Sequence, residues 1–212
     1  PLPGGVKAIR QPRRAALGLL FELFGNDVFK RKNINSLQSF TAQELSILKT
    51  ALDKKLNSPL TSSAGRLFDV AASLAGLCHS SRYEGEAAIR LESEARSYSS
   101  EETYPFVMRY GSPMVLDWRQ TIEAMLDDLS GDDKRLVPSK FHNTLAEMIL
   151  AVAQMSKQST MVISGGCFQN DCLVKQTLKR LHKAGFKVYQ QESIPPNDGG
   201  LALGQLIASK YL

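Results

Sequence analysis

Residues 161–170 read MVISGGCFQN, a short apolar run that stops at a glycine pair and passes into a helix-type pattern. A run of this length, bounded by glycines and containing β-branched residues, predicts a strand. The glycines lack a Cβ, so the backbone of the turn can come close to a ligand. This junction therefore predicts a strand, a tight turn and a helix in succession.

The same order of elements is repeated downstream. Residues 186–189 (FKVY) predict a second strand, which leads through IPPNDGG at residues 194–200 into a last helix. The helix between the strands is predicted to run from Asn170 to Ala184 and to end at Gly185 as its C′ residue. Strands joined by such a crossover lie parallel, so we predict an α/β fold with a small parallel sheet. Two strands are too few to be stable alone, so further strands are expected outside this chain.

The first two thirds of the chain are dominated by helix patterns. Thr41 and Glu44 form a capping box before one helix, and short strands are expected near residues 106–108 and 114–116. Further helices are predicted over residues 15–24, 63–76, 84–94 and 139–157. We therefore divide the chain into a helical region, residues 1–138, and an α-β-α-β-α nucleotide-binding segment, residues 139–212.

The bulk composition argues against several classes of protein. The chain has 212 residues, 43% of them hydrophobic, and a formal net charge of +5. Its basic residues are mostly dispersed, which argues against a nucleic-acid partner. Three cysteines without CxxC spacing cannot build a disulfide framework, which suits a reducing cytoplasm. No apolar run approaches the roughly 20 residues of a membrane span, and no signal peptide is recognisable. Because the chain starts at Pro1 without a methionine, we interpret it as a piece of a longer protein.

Taken alone, the two glycine turns leave alternatives open. Asn170, at the start of a helix, could bond a nucleotide or simply cap the helix, whose N-terminus favours anions. Asp198 could ligate a cation or cap the last helix. The carboxyl ends of parallel strands share one edge of a sheet, and nucleotide crevices form beyond that edge. The two turns together therefore favour a nucleotide site.

Several motifs, in order along the chain, carry a resemblance to a known family. They are PLPGG (1–5) with AIRQP (8–12), TSSAGRLFD (61–69), YEGEAA (83–88), FHN (141–143), ISGGCFQN (163–170) and PPNDGGLALGQ (195–205). Together they resemble the C-terminal part of HypF, the carbamoyltransferase family of hydrogenase maturation, over nearly the whole chain. The resemblance implies a helix-dominated part of an actin-like ATPase domain (the sugar-kinase, chaperone and actin type) with a small parallel sheet and a helical insertion.

This resemblance implies a carbamoyl transfer through an adenylate. Members of the family take carbamoyl phosphate and ATP, form carbamoyl adenylate, and pass the carbamoyl group to the C-terminal cysteine of the maturation protein HypE. The product becomes a cyanide ligand of the nickel–iron hydrogenase centre. This part of the enzyme is expected to hold the adenylate and, in isolation, to be inactive in the full reaction.

The resemblance also implies roles for individual residues. Glycines would offer their backbone to the nucleotide, and an asparagine would add a side-chain hydrogen bond. Asp69 would accept from the ribose hydroxyl groups, and Glu86 would make a second contact. The expected nucleotide-binding residues are Gly65, Arg66, Asp69, Glu86, Gly165, Gly166 and Asn170.

A divalent metal is implied as a second cofactor: iron or zinc, or else magnesium. Asp198 would be the ligand nearest the phosphates. The site of the family also needs two histidines at HxxxH spacing, whereas His79, His142 and His182 of this chain are not four residues apart. The remaining ligands are therefore expected outside this chain, and His142 is interpreted as a packing or capping group.

Two other functions stay open from the sequence. One is that of the tRNA threonylcarbamoyladenosine-type transferases, relatives with a different acceptor. Against it, Arg66 stands where those enzymes carry a glutamate. The other is a non-catalytic module that docks a partner protein through residues 6–130.

Overall fold

The computed structural model describes residues 1–132 and 134–211 and is dominated by α-helices. The helices are α1 (Val6–Arg10), α2 (Pro12–Phe24), α3 (Asn35–Gln38), α4 (Ala42–Asp53), α5 (Ala64–Leu74), α6 (Glu86–Ser97), α7 (Arg119–Ser130), α8 (Val137–Met155), α9 (Asp171–Lys183) and α10 (Leu201–Ala208). The strands are β1 (Val107–Arg109), β2 (Val115–Asp117), β3 (Thr160–Ile163) and β4 (Lys187–Gln190). No helix among the described residues is long and apolar enough to cross a membrane.

The helical region is built around α2 and α5. Helix α2 starts at Pro12, where proline costs no backbone hydrogen bond, and most of its length is buried. Gly18 lets the N-terminal segment lie against α2, because a Cβ there would come 2.0 Å from the carbonyl oxygen of Pro1. Helix α5 packs on α2 and buries Phe68, whose ring meets the Phe141 ring of α8 edge to face.

Two local predictions for this region are confirmed. The Thr41 hydroxyl accepts from Glu44 N, and the Glu44 carboxylate accepts from Thr41 N, so both halves of the capping box at the start of α4 are present. The two short strands form an antiparallel pair in which Met108 lies opposite Leu116.

The C-terminal segment has the predicted parallel pair of strands. Strands β3 and β4 run in the same direction, with Met161 opposite Val188 and Ile163 opposite Gln190. Helix α9 crosses between them and is followed by Gly185 with φ +85°, a backbone conformation that glycine adopts without strain. The C-terminal segment is joined to the helical region because α9 packs along α8 and Leu173 belongs to the common hydrophobic core.

One face of the C-terminal segment carries exposed apolar side chains. Val162 of β3 is 70% exposed, and along α10 the exposed residues include Leu201, Leu206 and Ile207. Helix α10 buries none of its residues against the rest of the described chain. An apolar helix and sheet of this kind ordinarily bury such a face against another element.

Candidate functional site

The turn after β3 lies where the two predicted strand ends meet. Gly165 N donates to Pro196 O at 2.7 Å, which ties this turn to the segment that follows β4. Gly165 has φ +104°, and a Cβ on it or on Gly166 would meet nothing within 4 Å in the described chain. A shallow cavity of about 180 Å³ adjoins the turn, with Phe168 and Gln190 in its wall. The turn therefore presents its glycine backbone to open space.

Helix α5 carries the second part of the site. Asp69 is only 5% exposed, and its Oδ2 lies 2.6 Å from Arg66 Nη1 one helical turn earlier. The same Oδ2 has no hydrogen-bond partner within the described part of the chain. Burial raises the pKa of Asp69 to about 6, against the opposing effect of the Arg66 charge. Asp69 is thus a buried acceptor that the protein leaves incompletely satisfied. Gly65 lies beside it in the first turn of α5.

Cys167 connects the two parts. Helix α5 packs against the 3₁₀ turn Gly166–Gln169 that follows β3. The charges of Arg66 and Asp69 both act on the Cys167 thiol, although burial is the main reason that its pKa is raised. The tertiary fold therefore brings Arg66 and Asp69 next to the glycine turn, from which they are about 100 residues distant in sequence.

Glu86, the second predicted carboxylate, is bound tightly within its own segment. Its Oε2 accepts from Arg82 N at 2.6 Å, and its Oε1 pairs with Arg82 Nη2 and Arg90 Nη2 at 2.9 and 2.7 Å. The bond from the Arg82 backbone and the two guanidinium groups lower the pKa of Glu86 to about 2. The carboxylate is therefore ionised and held at the start of α6. Its contact with a nucleotide stays a prediction.

Asn170 is turned into the protein. Its Oδ1 accepts from Leu173 N at 2.9 Å and caps α9, and its Nδ2 lies 3.0 Å from His142 Nε2. The capping alternative for Asn170 is thus present in the structure. His142 is 1% exposed and packs against Phe68 and Phe141, which confirms its interpretation as a packing group. Direct bonding of a nucleotide by Asn170 stays a prediction.

A residue that the sequence analysis missed occupies the start of α9. Glu92 Oε1 accepts from Asp171 N and Cys172 N at 2.9 and 3.2 Å, and Arg96 pairs with both Glu92 and Asp171. The anion expected at this helix N-terminus is therefore a carboxylate of the protein itself. No local signal could have identified Glu92, because it lies on α6, some 80 residues before the helix that it caps.

Asp198 lies exposed after β4, at the start of the turn that leads into α10. The cap of this turn is its neighbour: Asn197 Oδ1 accepts from Gly199 N at 3.0 Å. Within the described residues, no group of three or more His, Cys, Asp or Glu side chains is placed to hold a metal ion. One exposed carboxylate does not by itself fit a transition metal, and the role of Asp198 as a metal ligand stays a prediction.

Comparison with known proteins places this arrangement in a family context. Residues 1–205 match the family described as "Carbamoyltransferase, Kae1-like Domain, second subdomain". The chain is 36% identical to carbamoyltransferase HypF of Synechocystis sp. over 98% of its own length and 28% of that protein. It is 35% identical to carbamoyltransferase HypF of Rhodobacter capsulatus over 99% of its own length and 27% of that protein.

A solved structure shows the same fold. The crystal structure of full-length HypF in the phosphate- and nucleotide-bound form matches the whole chain with a TM-score of 0.89 and 34% identity, and the match covers 28% of that protein. The chain therefore spans little more than a quarter of these relatives. The likeness confirms the predicted fold class, a helix-dominated α/β part of an actin-like ATPase domain.

Proposed function

Because the chain belongs to the HypF carbamoyltransferase family and matches the second subdomain of its Kae1-like domain, we propose that it is the part of a longer carbamoyltransferase that holds an ATP-derived carbamoyl adenylate. The full enzyme would use carbamoyl phosphate and ATP. It would act in the cytoplasm and deliver the carbamoyl group to the C-terminal cysteine of a HypE-type maturation protein, for synthesis of the hydrogenase cyanide ligand.

The observation that carries this proposal is the position of Asp69 and Arg66 beside the glycine turn of residues 164–167. Asp69 Oδ2 is buried and has no hydrogen-bond partner among the described residues, and a buried acceptor in that state is costly. Ribose hydroxyl groups would donate to the Asp69 carboxylate, whose remaining 5% exposure is its access to a ligand. The open space over Gly166 would admit the phosphate side of the same nucleotide. Gly65, Gly165, Glu86 and Asn170 would shape the surrounding surface.

The chemistry of an acyl adenylate explains why such a site is useful. Joining a carbamate to AMP as a mixed anhydride makes the carbamoyl carbon electrophilic and provides AMP as a leaving group. The acceptor thiolate would attack that carbon, form a carbon–sulfur bond and displace AMP. A closed cleft would keep water from attacking first. None of Cys78, Cys167 and Cys172 is required as a nucleophile in this scheme, because the thiol comes from the partner protein.

Two features support a site that is completed outside this chain. The exposed apolar surface of β3 and α10 would be covered by the rest of the Kae1-like domain, which would also form the other wall of the cleft. Asp198 would contribute one ligand to an iron, zinc or magnesium ion. The other ligands would come from that same part of the domain.

The proposal is tested on the full-length protein. With carbamoyl phosphate, ATP and a HypE-type partner, the C-terminal cysteine of the partner should gain a carbamoyl group detectable by mass spectrometry. Asp69→Ala should weaken ATP binding and slow this transfer. Unchanged ATP affinity and transfer in Asp69→Ala would overturn the assigned site. Carbamoylation or threonylcarbamoylation of tRNA in place of the thiol would favour the tRNA-modifying alternative, and partner binding without transfer would favour the docking module.

A further inference from the structure

A buried chain of hydrogen bonds links α8 to the glycine turn. His142 Nδ1 lies 2.7 Å from Pro138 O on the preceding turn of α8. On the other side of the ring, His142 Nε2 lies 3.0 Å from Asn170 Nδ2, and Asn170 Oδ1 accepts from Leu173 N at 2.9 Å. All the side-chain atoms involved are buried. Asn170 directly follows the 3₁₀ turn Gly166–Gln169, so this series of hydrogen bonds ends at the candidate site.

The proton positions in this series of hydrogen bonds are determined by the two backbone groups at its ends, Pro138 O and Leu173 N. Pro138 O can only accept, so His142 Nδ1 must carry the proton. Leu173 N can only donate, so the Asn170 amide must point its oxygen toward α9 and its NH₂ group toward His142. A neutral ring with the proton on Nδ1 leaves Nε2 as the acceptor that this NH₂ group needs. Both constraints select the same tautomer, and burial, which lowers the pKa of His142, keeps the ring neutral.

We propose that His142 is a positioning residue for the nucleotide site. By accepting from Asn170 Nδ2, it holds the asparagine in the rotamer that caps α9, and this in turn holds the end of the Gly166–Gln169 turn next to Arg66 and Asp69. The rings of Phe68 and Phe141 hold the imidazole in place. Phe68 immediately precedes Asp69 on α5. Its packing against His142 therefore also fixes the position of Asp69 relative to the Gly166–Gln169 turn. This inference rests on the proposed function.

The neighbouring residue on α8, Asn143, provides a matched control. Asn143 is also 1% exposed, but its Nδ2 donates to Ser100 O and Glu102 O, in the loop after α6. Asn143→Ala should therefore lower the thermal stability of the protein, as His142→Leu should, without disturbing the glycine turn. His142→Gln retains an acceptor close to the position of Nε2. Asn170→Ser retains an N-cap of similar strength but is too short to reach His142.

The experiment compares ATP affinity and melting temperature for these variants of the full-length protein. We expect His142→Leu and Asn170→Ser to raise the Kd for ATP about tenfold, the order expected for loss of one buried hydrogen-bond link. Asn143→Ala should leave the Kd unchanged, and His142→Gln should restore most of the affinity lost in His142→Leu.

The outcomes separate this inference from the proposed function. Wild-type ATP affinity in Asn170→Ser would overturn the positioning role alone, and so would wild-type affinity in a folded His142→Leu variant. Loss of affinity in His142→Gln as large as in His142→Leu would overturn it as well, because the retained acceptor would then make no difference. An equal loss of affinity in Asn143→Ala would also overturn it, because the effect would then follow stability only. Absence of ATP binding by the wild-type full-length protein would overturn both the positioning role and the proposed site.

Discussion

Arg66 and Asp69 form a close pair on α5 that leaves the carboxylate incompletely satisfied. Arg66 Nη1 lies 2.6 Å from Asp69 Oδ2, yet the contact lacks hydrogen-bond geometry, and Oδ2 has no other partner in the described chain. Arg66 also reaches toward Ile9 O at 3.5 Å. The Asp69 carboxylate is therefore buried with its charge only partly compensated, and its pKa is raised to about 6.

The first prediction concerns the pH dependence of stability. Because the pKa of Asp69 in the folded protein, about 6, lies above its ordinary value of 3.8, the stabilising effect of its protonation is fully present below about pH 4 and is lost as the pH rises through about 6. Asp69→Asn removes this dependence. Relative to the variant, the wild type should lose about 2–3 kcal/mol of unfolding free energy between pH 4 and pH 7.

Urea unfolding of both proteins across this pH range measures the difference directly. The lowered pKa of His142 acts in the opposite direction, since a buried neutral histidine loses stability as the pH falls. This contribution is present in both proteins and cancels in the comparison. Parallel stability curves for wild type and Asp69→Asn would contradict the raised pKa.

The second prediction concerns Glu92 as the cap of α9. Glu92→Ala removes the acceptor of two backbone N–H groups and a partner of Arg96, and we expect it to lower the unfolding free energy by about 1–2 kcal/mol. Glu92→Gln keeps an acceptor oxygen and should lose less. Chemical denaturation of the three proteins tests this order. Equal stability of all three would show that water satisfies the start of α9 as well as Glu92 does.

The third prediction separates the two glycines of the turn. Gly165 has φ +104°, so Gly165→Ala should destabilise the fold by about 1 kcal/mol or more. At Gly166 φ is not positive, and a Cβ meets open space within the described chain. Gly166→Val should therefore change the melting temperature little but place a branched side chain where the nucleotide would approach, and so weaken ATP binding in the full-length protein. Unchanged ATP affinity in Gly166→Val would show that the nucleotide does not bind at this turn.

The fourth prediction compares Asp198 with its neighbour. Asn197→Ala should destabilise the turn before α10 by about 1 kcal/mol, because it removes the cap on Gly199 N. Asp198→Ala should leave stability within experimental error, since the carboxylate is exposed. In the full-length protein, Asp198→Ala should instead lower the bound metal content, measured by elemental analysis, and abolish transfer. Full metal content and activity in the Asp198 variant would exclude its role as a ligand.

Short-range sequence patterns were sufficient to predict several parts of the fold. The capping box of Thr41 and Glu44, the end of α9 at Gly185, and the cap supplied by Asn170 each depend on residues within four positions of one another. The parallel pairing of β3 and β4 followed from the crossover helix between them. These features were predictable because their physical causes, backbone conformation and the unpaired N–H groups at helix ends, act within one or two turns of the chain.

The sequence by itself thus determined the fold class, the order of elements in the C-terminal segment and the motifs that indicate the family. Only the tertiary structure decided that Glu92 caps α9, that His142 meets Asn170, and that Arg66 and Asp69 lie beside Cys167. The physical reason is that each of these contacts joins residues at least 28 positions apart in sequence, and their distances follow from how α5, α6, α8 and α9 pack around a shared core. The burial that raises the pKa of Asp69 arises from the same packing, and no pattern of neighbouring residues records it.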